Sequence, residues 1–345
     1  MKILIVKTSS MGDLIHTLPV ITDIRSHYPN AEIHWLAERP FHQIPALHAG
    51  VYTVILMAWR KWRKQLLTSD TRADAWAQIK ALKATLQANA YDVIIDLQGL
   101  VKSAIWTRIA AKNTALKPCI SHGYDWGSAR EPLASLAYAR RHTVDKTKLA
   151  TQRSRSLAAK ALGYEFDPQK NIADFGLSKT AIAAQTLPDA ISAALPALPE
   201  KYWACVHGSS DERRLWKPDY WAAVALHLHV HQGMDCVLLW GSEAERERSE
   251  SLSKAMQKLG VTAIVPPFLT IGQTATILAR SQLCVGLDTG FTHLSGALGV
   301  NTLSLHSTHD PALTGVCGAG ICRSLGSPAG HAALVDVCTE IDTLF

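Results

Sequence analysis

The chain has 345 residues, 48% of them hydrophobic, and a net charge of +6. That is apolar material for two cores of ordinary size, and it argues against disordered and low-complexity classes. Seven cysteines, at 119, 205, 236, 284, 317, 322 and 338, form no CxxC pair, which disfavours a disulfide framework or zinc knuckle and suits a reducing cytoplasm.

Ile3–Val6 reads as a buried first strand. Its four apolar residues are too few for a signal-peptide core, and no run approaches the roughly 18–20 residues of a membrane span. The loop that follows, Thr8-Ser9-Ser10-Met11-Gly12-Asp13, leads into a helix. Small residues and Gly12 let backbone approach a ligand, and Asp13 is either a carboxylate at a site or a plain helix cap. The loop is neither GxGxxG nor a Walker A. Strands follow at Glu32–Leu36, Val54–Met57 and Asp92–Leu97, with helices at Ala75–Ala90 and Lys148–Leu162.

Trp59-Arg60-Lys61-Trp62-Arg63-Lys64 interleaves aromatics with cations, a composition that stacks on sugars or bases. Arg130, Arg140, Arg141 and His142 form a second basic cluster; the plain alternative for each is a solvated face. Residues 1–175 carry 24 Lys and Arg against 14 Asp and Glu, a net of +10; residues 176–345 carry 11 against 15, a net of −4. The positive half suits polyanions: nucleic acid, phospholipid headgroups or a phosphorylated glycan. With no nucleic-acid-binding motif, nucleic acid is not expected as a partner.

Pro168, Pro188, Pro196 and Pro199 break the helical pattern and put a boundary within 167–200. The expected division is 1–175, 176–330 and a closing helix over 331–345. The second half repeats the alternation, with strands at Tyr202–His207, Cys236–Trp240, Ala263–Val265, Leu283–Gly286 and Thr302–His306. Its helices lie near Tyr220–His231, Glu243–Leu259, Ile271–Ala279 and Thr292–Leu298. This predicts an α/β protein with two parallel sheets and a cleft between domains.

Three strand-end loops in this half carry candidate chemistry. His207-Gly208-Ser209-Ser210 runs on to Arg213, Arg214 and Lys217, hydroxyls and cations suited to a diphosphate. Trp240-Gly241-Ser242 precedes Glu243 and Glu245, carboxylates suited to ribose hydroxyls. Asp288-Thr289-Gly290 opens a helix that holds Thr292 and His293; free N–H groups there bind phosphate, while Asp288 suits sugar hydroxyls. A lone DTG in an α/β setting is not an aspartic protease. His227, His229 and His231 alternate within a helix, which points them to different faces, and no metal pattern is seen.

Together, KTSSMGDLIHTLP at the start, DLQGLVKSA over Asp96–Ala104, HGYDW and AREPLASL over 122–136, and DTGFTHLSGALG resemble the bacterial ADP-heptose:lipopolysaccharide heptosyltransferases along nearly the whole chain. AREPLASL is the most specific, for members that transfer the first heptose. The resemblance implies a GT-B architecture of two facing Rossmann-like domains, the donor ADP-L-glycero-D-manno-heptose, the acceptor Kdo2-lipid A, inversion at the anomeric carbon, and no cofactor or obligatory metal. It implies Asp13 as general base. Ser209, Ser210, Glu245, Asp288, Thr289, Gly290 and His293 would hold the donor, with Arg214 or Lys217 at the diphosphate. Ser10, Gly12, Arg60, Arg63, Lys64, Gln98 and Arg130 would serve the acceptor. A cytoplasmic enzyme peripheral to the anionic inner membrane is expected, and basic residues favour that contact by roughly 1 kcal/mol each. Alternatives are a second-heptose transferase, another nucleotide-sugar transferase or epimerase of this shape, or a non-catalytic binder of anionic glycans.

Overall fold

A computed structural model describes residues 1–112 and 118–345. The chain divides into two compact units, Met1–Gly176 and Leu177–Phe345. Each is built on a six-stranded sheet whose strand pairs are all parallel.

The first sheet comprises β1 (Lys2–Val6), β2 (Glu32–Glu38), β3 (Thr53–Met57), β4 (Val93–Asp96), β5 (Ile120–Tyr124) and β6 (Arg140–His142), in the order β3-β2-β1-β4-β5-β6. The second comprises β7 (Tyr202–Val206), β8 (Asp235–Leu238), β9 (Ala263–Ile264), β10 (Leu283–Leu287), β11 (Asn301–His306) and β12 (Cys322–Gly326), in the order β12-β11-β10-β7-β8-β9. Both sheets therefore wind alike. The chain starts mid-sheet, winds to one edge, returns to the centre and winds to the other. The order reverses between β1 and β4 in one unit and between β7 and β10 in the other, and ligands of open α/β sheets bind outside the carboxyl ends at such points.

Central strands read as apolar runs because helices cover both faces of a parallel sheet. Ile3–Val6 are fully buried, as are Leu283–Leu287 to within 1%. Strands β5, β6 and β12 escape sequence reading. They spell ISHGY, RRH and CRSLG, with little apolar signal, and β6 and β12 are edges. Strand β5 forms because β4 offers it an open ladder, pairing Ile95 with His122. Its Gly123 is needed for packing: a Cβ there would lie 2.3 Å from Cε2 of Tyr138.

Two expectations need correction. Trp62 is not available for stacking on a ligand. It is 3% exposed and packs in the first core beside Trp106, because the helix Trp59–Gln65 turns its tryptophan face inward, Trp59 packing partly buried against the same core. His227 and His231 do not face apart: four residues along the helix Pro218–Gln232 they share a face, their rings 4.6 Å apart. In the second unit Val337, Ile341 and Leu344 of the last segment bury in the same core as Trp203 and Trp221. No helix among the described residues is long and apolar enough to cross a membrane.

Candidate active site

In the first unit the loop Thr8–Asp13 leaves β1, and Leu97–Leu100 leaves β4, at the point where strand order reverses. The two loops are bonded together. The Gln98 side-chain oxygen accepts from the backbone N–H of Thr8 at 2.9 Å and of Ser9 at 3.1 Å. Gln98 is itself held by Asp96, which is fully buried and accepts from the N–H of Gln98 at 2.8 Å and from the Tyr138 hydroxyl at 2.8 Å. Burial pushes the Asp96 carboxyl above its usual range against these bonds.

Asp13 stands on the first turn of the helix Met11–Ile15. Its Oδ2 accepts from the Ser10 N–H at 2.8 Å and from the Ser10 hydroxyl at 3.1 Å, and its side chain stays 29% exposed. Lys7 Nζ lies 4.0 Å from Asp13 Oδ1 and donates to the Leu97 carbonyl at 2.7 Å. Burial pushes the Asp13 carboxyl up, but the Lys7 charge and the Ser10 bonds outweigh it and hold the carboxyl below its usual range. Burial also lowers the Lys7 ammonium, with Asp13 opposing. Asp13 is therefore both the N3 carboxylate of a capping box whose N-cap is Ser10 and a part-open, ionised carboxylate, so the two sequence readings are not exclusive.

The other predicted residues of this unit are spread more widely. Ser10 is exposed and Gly12 half-buried beside Asp13. Arg130 lies near enough for its charge to act on Lys7, and Arg60 near enough to act on Lys102. The Arg60 guanidinium sits 5.7 Å from the centre of the Phe41 ring. Arg63 and Lys64 are exposed on the same short helix. Gln98 is 5% exposed, with its oxygen engaged in the loop. Sequence reasoning missed Lys7 and Lys102, whose Nζ donates to Ser9 Oγ at 2.8 Å. The available signal for Lys7 was a lysine closing an otherwise apolar strand.

In the second unit the loops after β7 and β10 meet at the equivalent reversal. Asp288 is the hub. His293 Nε2 is 3.0 Å from its Oδ1, and its Oδ2 has His309 Nδ1 at 3.4 Å and His306 Nδ1 at 3.8 Å. Arg214 Nη1 donates to the Asp288 carbonyl at 2.9 Å and lies 3.8 Å from Oδ2. Burial pushes the Asp288 carboxyl up, but the bond and charge of His293 with the charges of His306 and Arg214 bring it down to about 2. Burial takes His306 down to about 4. His306 and His309 were not singled out by the sequence; His306 ends β11, which neighbours β10, and His309 lies in the loop that follows.

Arg214 and Lys217 separate here. Arg214 joins the Asp288 cluster, whereas the exposed Lys217 caps the helix Pro218–Gln232 with Nζ 5.1 Å from the centre of the Tyr220 ring. Gly290 opens the helix Gly290–Ala297, and Thr289 is its N-cap, with a buried hydroxyl that has no hydrogen-bond partner. Glu245 accepts from the Gly241 N–H at 2.7 Å, and its carboxyl reaches so close to Gly208 that a Cβ there would be 2.5 Å away. Ser209 Oγ accepts from the Asp211 N–H at 3.2 Å, and Ser210 is exposed. Among the described residues no group of three or more His, Cys, Asp or Glu is arranged to hold a metal ion.

These features match known proteins. The family model described as glycosyltransferase family 9 (heptosyltransferase) matches residues 79–332. Lipopolysaccharide heptosyltransferase 1 of Escherichia coli (strain K12) is 37% identical over 326 residues, 94% of each chain. The protein of that name from Pseudomonas aeruginosa is 38% identical over 318 residues, 92% of this chain and 82% of that one. The structure of the E. coli heptosyltransferase WaaC with ADP superposes over the whole of both chains with a TM-score of 0.82 at 33% identity. The chain belongs to glycosyltransferase family 9, the heptosyltransferases, and is a glycosyltransferase of GT-B fold.

Proposed function

We propose that this protein transfers L-glycero-D-manno-heptose from ADP-L-glycero-D-manno-heptose to Kdo2-lipid A, with inversion at the anomeric carbon and Asp13 as general base. The observation that carries the reading is the Asp13 carboxylate, ionised and part-open at the strand-order reversal of a unit with net charge +10 over residues 1–175. An acceptor bearing phosphates and carboxylates complements that charge. The names of the relatives and the ADP in the E. coli structure support the donor and the class of acceptor.

In this reading the acceptor hydroxyl gives its proton to Asp13 as its oxygen bonds to heptose C1. The bond from C1 to the diphosphate oxygen breaks on the opposite face, and ADP departs with that electron pair. Arg214 and the N–H groups at the start of the helix Gly290–Ala297 stabilise the departing diphosphate. Thr289 supplies its free hydroxyl to the donor, Glu245 faces the ribose, and Asp288 is held by His293 to accept from sugar hydroxyls. Residues 1–175 serve the acceptor, 176–330 serve the donor, and the protein works at the cytoplasmic face of an anionic membrane.

The deciding experiment is incubation with ADP-heptose and Kdo2-lipid A, followed by mass analysis. One heptose gained per acceptor with free ADP is expected. Reaction only with an acceptor that already bears a heptose would assign the second transfer instead, and conversion of the donor without acceptor would make the protein an epimerase.

A further inference from the structure

Two neighbouring segments of the first unit share one pattern. The helix Val101–Ala111 turns Ala104 inward, against Ala134 of the 3-10 segment Pro132–Ala137 and Tyr138 just after it. Its outer positions, spaced four and three apart, read Val101, Ile105 and Arg108, and Lys112 ends the helix as its C-cap; all four residues are exposed. In the 3-10 segment, with three residues per turn, Leu133 and Leu136 fall on one face and are 62% and 58% exposed. That segment runs on into the exposed Arg140 and Arg141.

Both segments therefore begin apolar and end cationic. Their beginnings lie together: Glu131 accepts from the Val101 N–H at 2.6 Å and donates its own N–H to the Gly99 carbonyl at 3.0 Å. Each segment returns the chain between parallel strands, so both run opposite to the sheet and their ends lie together too. Trp126, 56% exposed, sits in the turn after β5 at the apolar end. This is also the end of the candidate site, since Lys102, the residue after Val101, bonds to Ser9 in the Asp13 loop.

We infer that this face, formed by Val101, Ile105, Leu133, Leu136 and Trp126, seats the protein on an anionic lipid bilayer. The aliphatic side chains enter the headgroup region, the indole lies at the interface, and Arg108, Lys112 and Arg141 meet lipid phosphates, whereas Arg140, the neighbouring residue of β6, turns to the opposite face of the sheet. The inference rests on the reading above, in which the acceptor is itself a lipid and is met at a membrane surface. Charge complementarity selects the occupant. A second copy of this face would set the same cations against one another, whereas an anionic bilayer neutralises them. Glu131, the acidic residue among them, is engaged by Val101.

The test is co-sedimentation of the full chain with vesicles of phosphatidylcholine alone, or of phosphatidylcholine and phosphatidylglycerol in equal parts. The wild type should partition to the mixed vesicles, less so in high salt, and hardly to the neutral ones. Leu133→Ser with Leu136→Ser should weaken partitioning at least about tenfold, since two exposed leucines lose their apolar seat. Arg108→Gln with Lys112→Gln should weaken it about tenfold as well. Both variants should keep the wild-type melting temperature and the wild-type rate on a deacylated, water-soluble acceptor. The proposal is overturned if the wild type ignores mixed vesicles, if the leucine variant partitions like the wild type, or if it loses self-association instead. Partitioning is measured without substrate, so a failure of heptose transfer would strike the proposed reaction and leave this result legible.

Discussion

Asp13 is a carboxylate under opposed pressures: burial favours its neutral form, and Lys7 with Ser10 favours the charged one and prevails. In the proposed role of base, a carboxylate that stays ionised near neutrality would be ready for the acceptor proton, although its depressed pKa makes it a weaker base than a free aspartate. Asp13→Asn keeps the shape and much of the capping, so kcat should fall by roughly 10²–10⁴ while the melting temperature barely moves. A cap without catalytic use would show the reverse: normal turnover and a loss of at most about 1 kcal/mol. Lys7→Gln removes the cation that holds the carboxyl down, so the acid limb of kcat/KM should move to higher pH; an unmoved limb would dissociate Lys7 from Asp13. On the donor side, Arg214→Gln should weaken ADP binding by roughly tenfold to a hundredfold, the worth of one charged hydrogen bond. Lys217→Gln should leave it nearly unchanged, because Lys217 lies over Tyr220 and is not among the described residues that pair with Asp288. Equal losses in the two variants would contradict that separation.

The loops at the strand ends owe their shape to residues that the chemistry does not touch. Asp96 fixes Gln98, and Gln98 fixes the backbone of Thr8 and Ser9. Gln98→Ala would leave those buried N–H groups without an acceptor, at a cost of about 1–3 kcal/mol. Calorimetry should show that loss of stability. Steady-state kinetics should show a fall in kcat with the donor KM held, since only the Asp13 loop is released. A variant of normal stability and lowered acceptor affinity alone would return Gln98 to the direct acceptor role that the resemblance implies. The sequence marked the loop itself, because small residues between an apolar strand and a helix are a local signal. It did not mark Asp96 as the buried anchor, since that role depends on Tyr138, 42 residues away.

Across the whole molecule, the two units share a winding order and a buried-histidine burden. His48 and His122 in the first unit and His207 and His306 in the second are each brought to about 4, desolvation being the main cause. The unfolded chain binds protons at these sites below its ordinary pKa of about 6.5, while the folded chain refuses them until about pH 4. Stability is therefore full above that upper value and falls as the pH drops towards the lower one. Each histidine should cost about 2 kcal/mol between pH 7 and pH 5. Urea titrations at the two pH values measure this directly, and His207→Gln should reduce the difference. Equal midpoints at both pH values would show that the imidazoles gain partners on protonation.

The sequence by itself determined the alternation of strands and helices, the two sheets, and the loops that carry Asp13 and Asp288. These are written in near-neighbour patterns: apolar runs such as Ile3–Val6 and Leu283–Gly286, each followed by small or polar residues. Short local segments also carried the family resemblance, which the family match over residues 79–332 and the relative aligned over 94% of the chain bear out. Only the tertiary structure decided what lies beside what. Strands β5, β6 and β12 form because a neighbouring ladder accepts them, not because their residues demand it. Trp62 went to the core although its neighbours made it look like a binding surface. Arg214 rather than Lys217 reached Asp288, joined there by His306 and His309 from β11 and the loop after it, because strand order brings together residues that lie 18, 21 and 74 apart in the chain. Such contacts have no local signature; they depend on which strands are neighbours, and that is settled only when the sheet is complete.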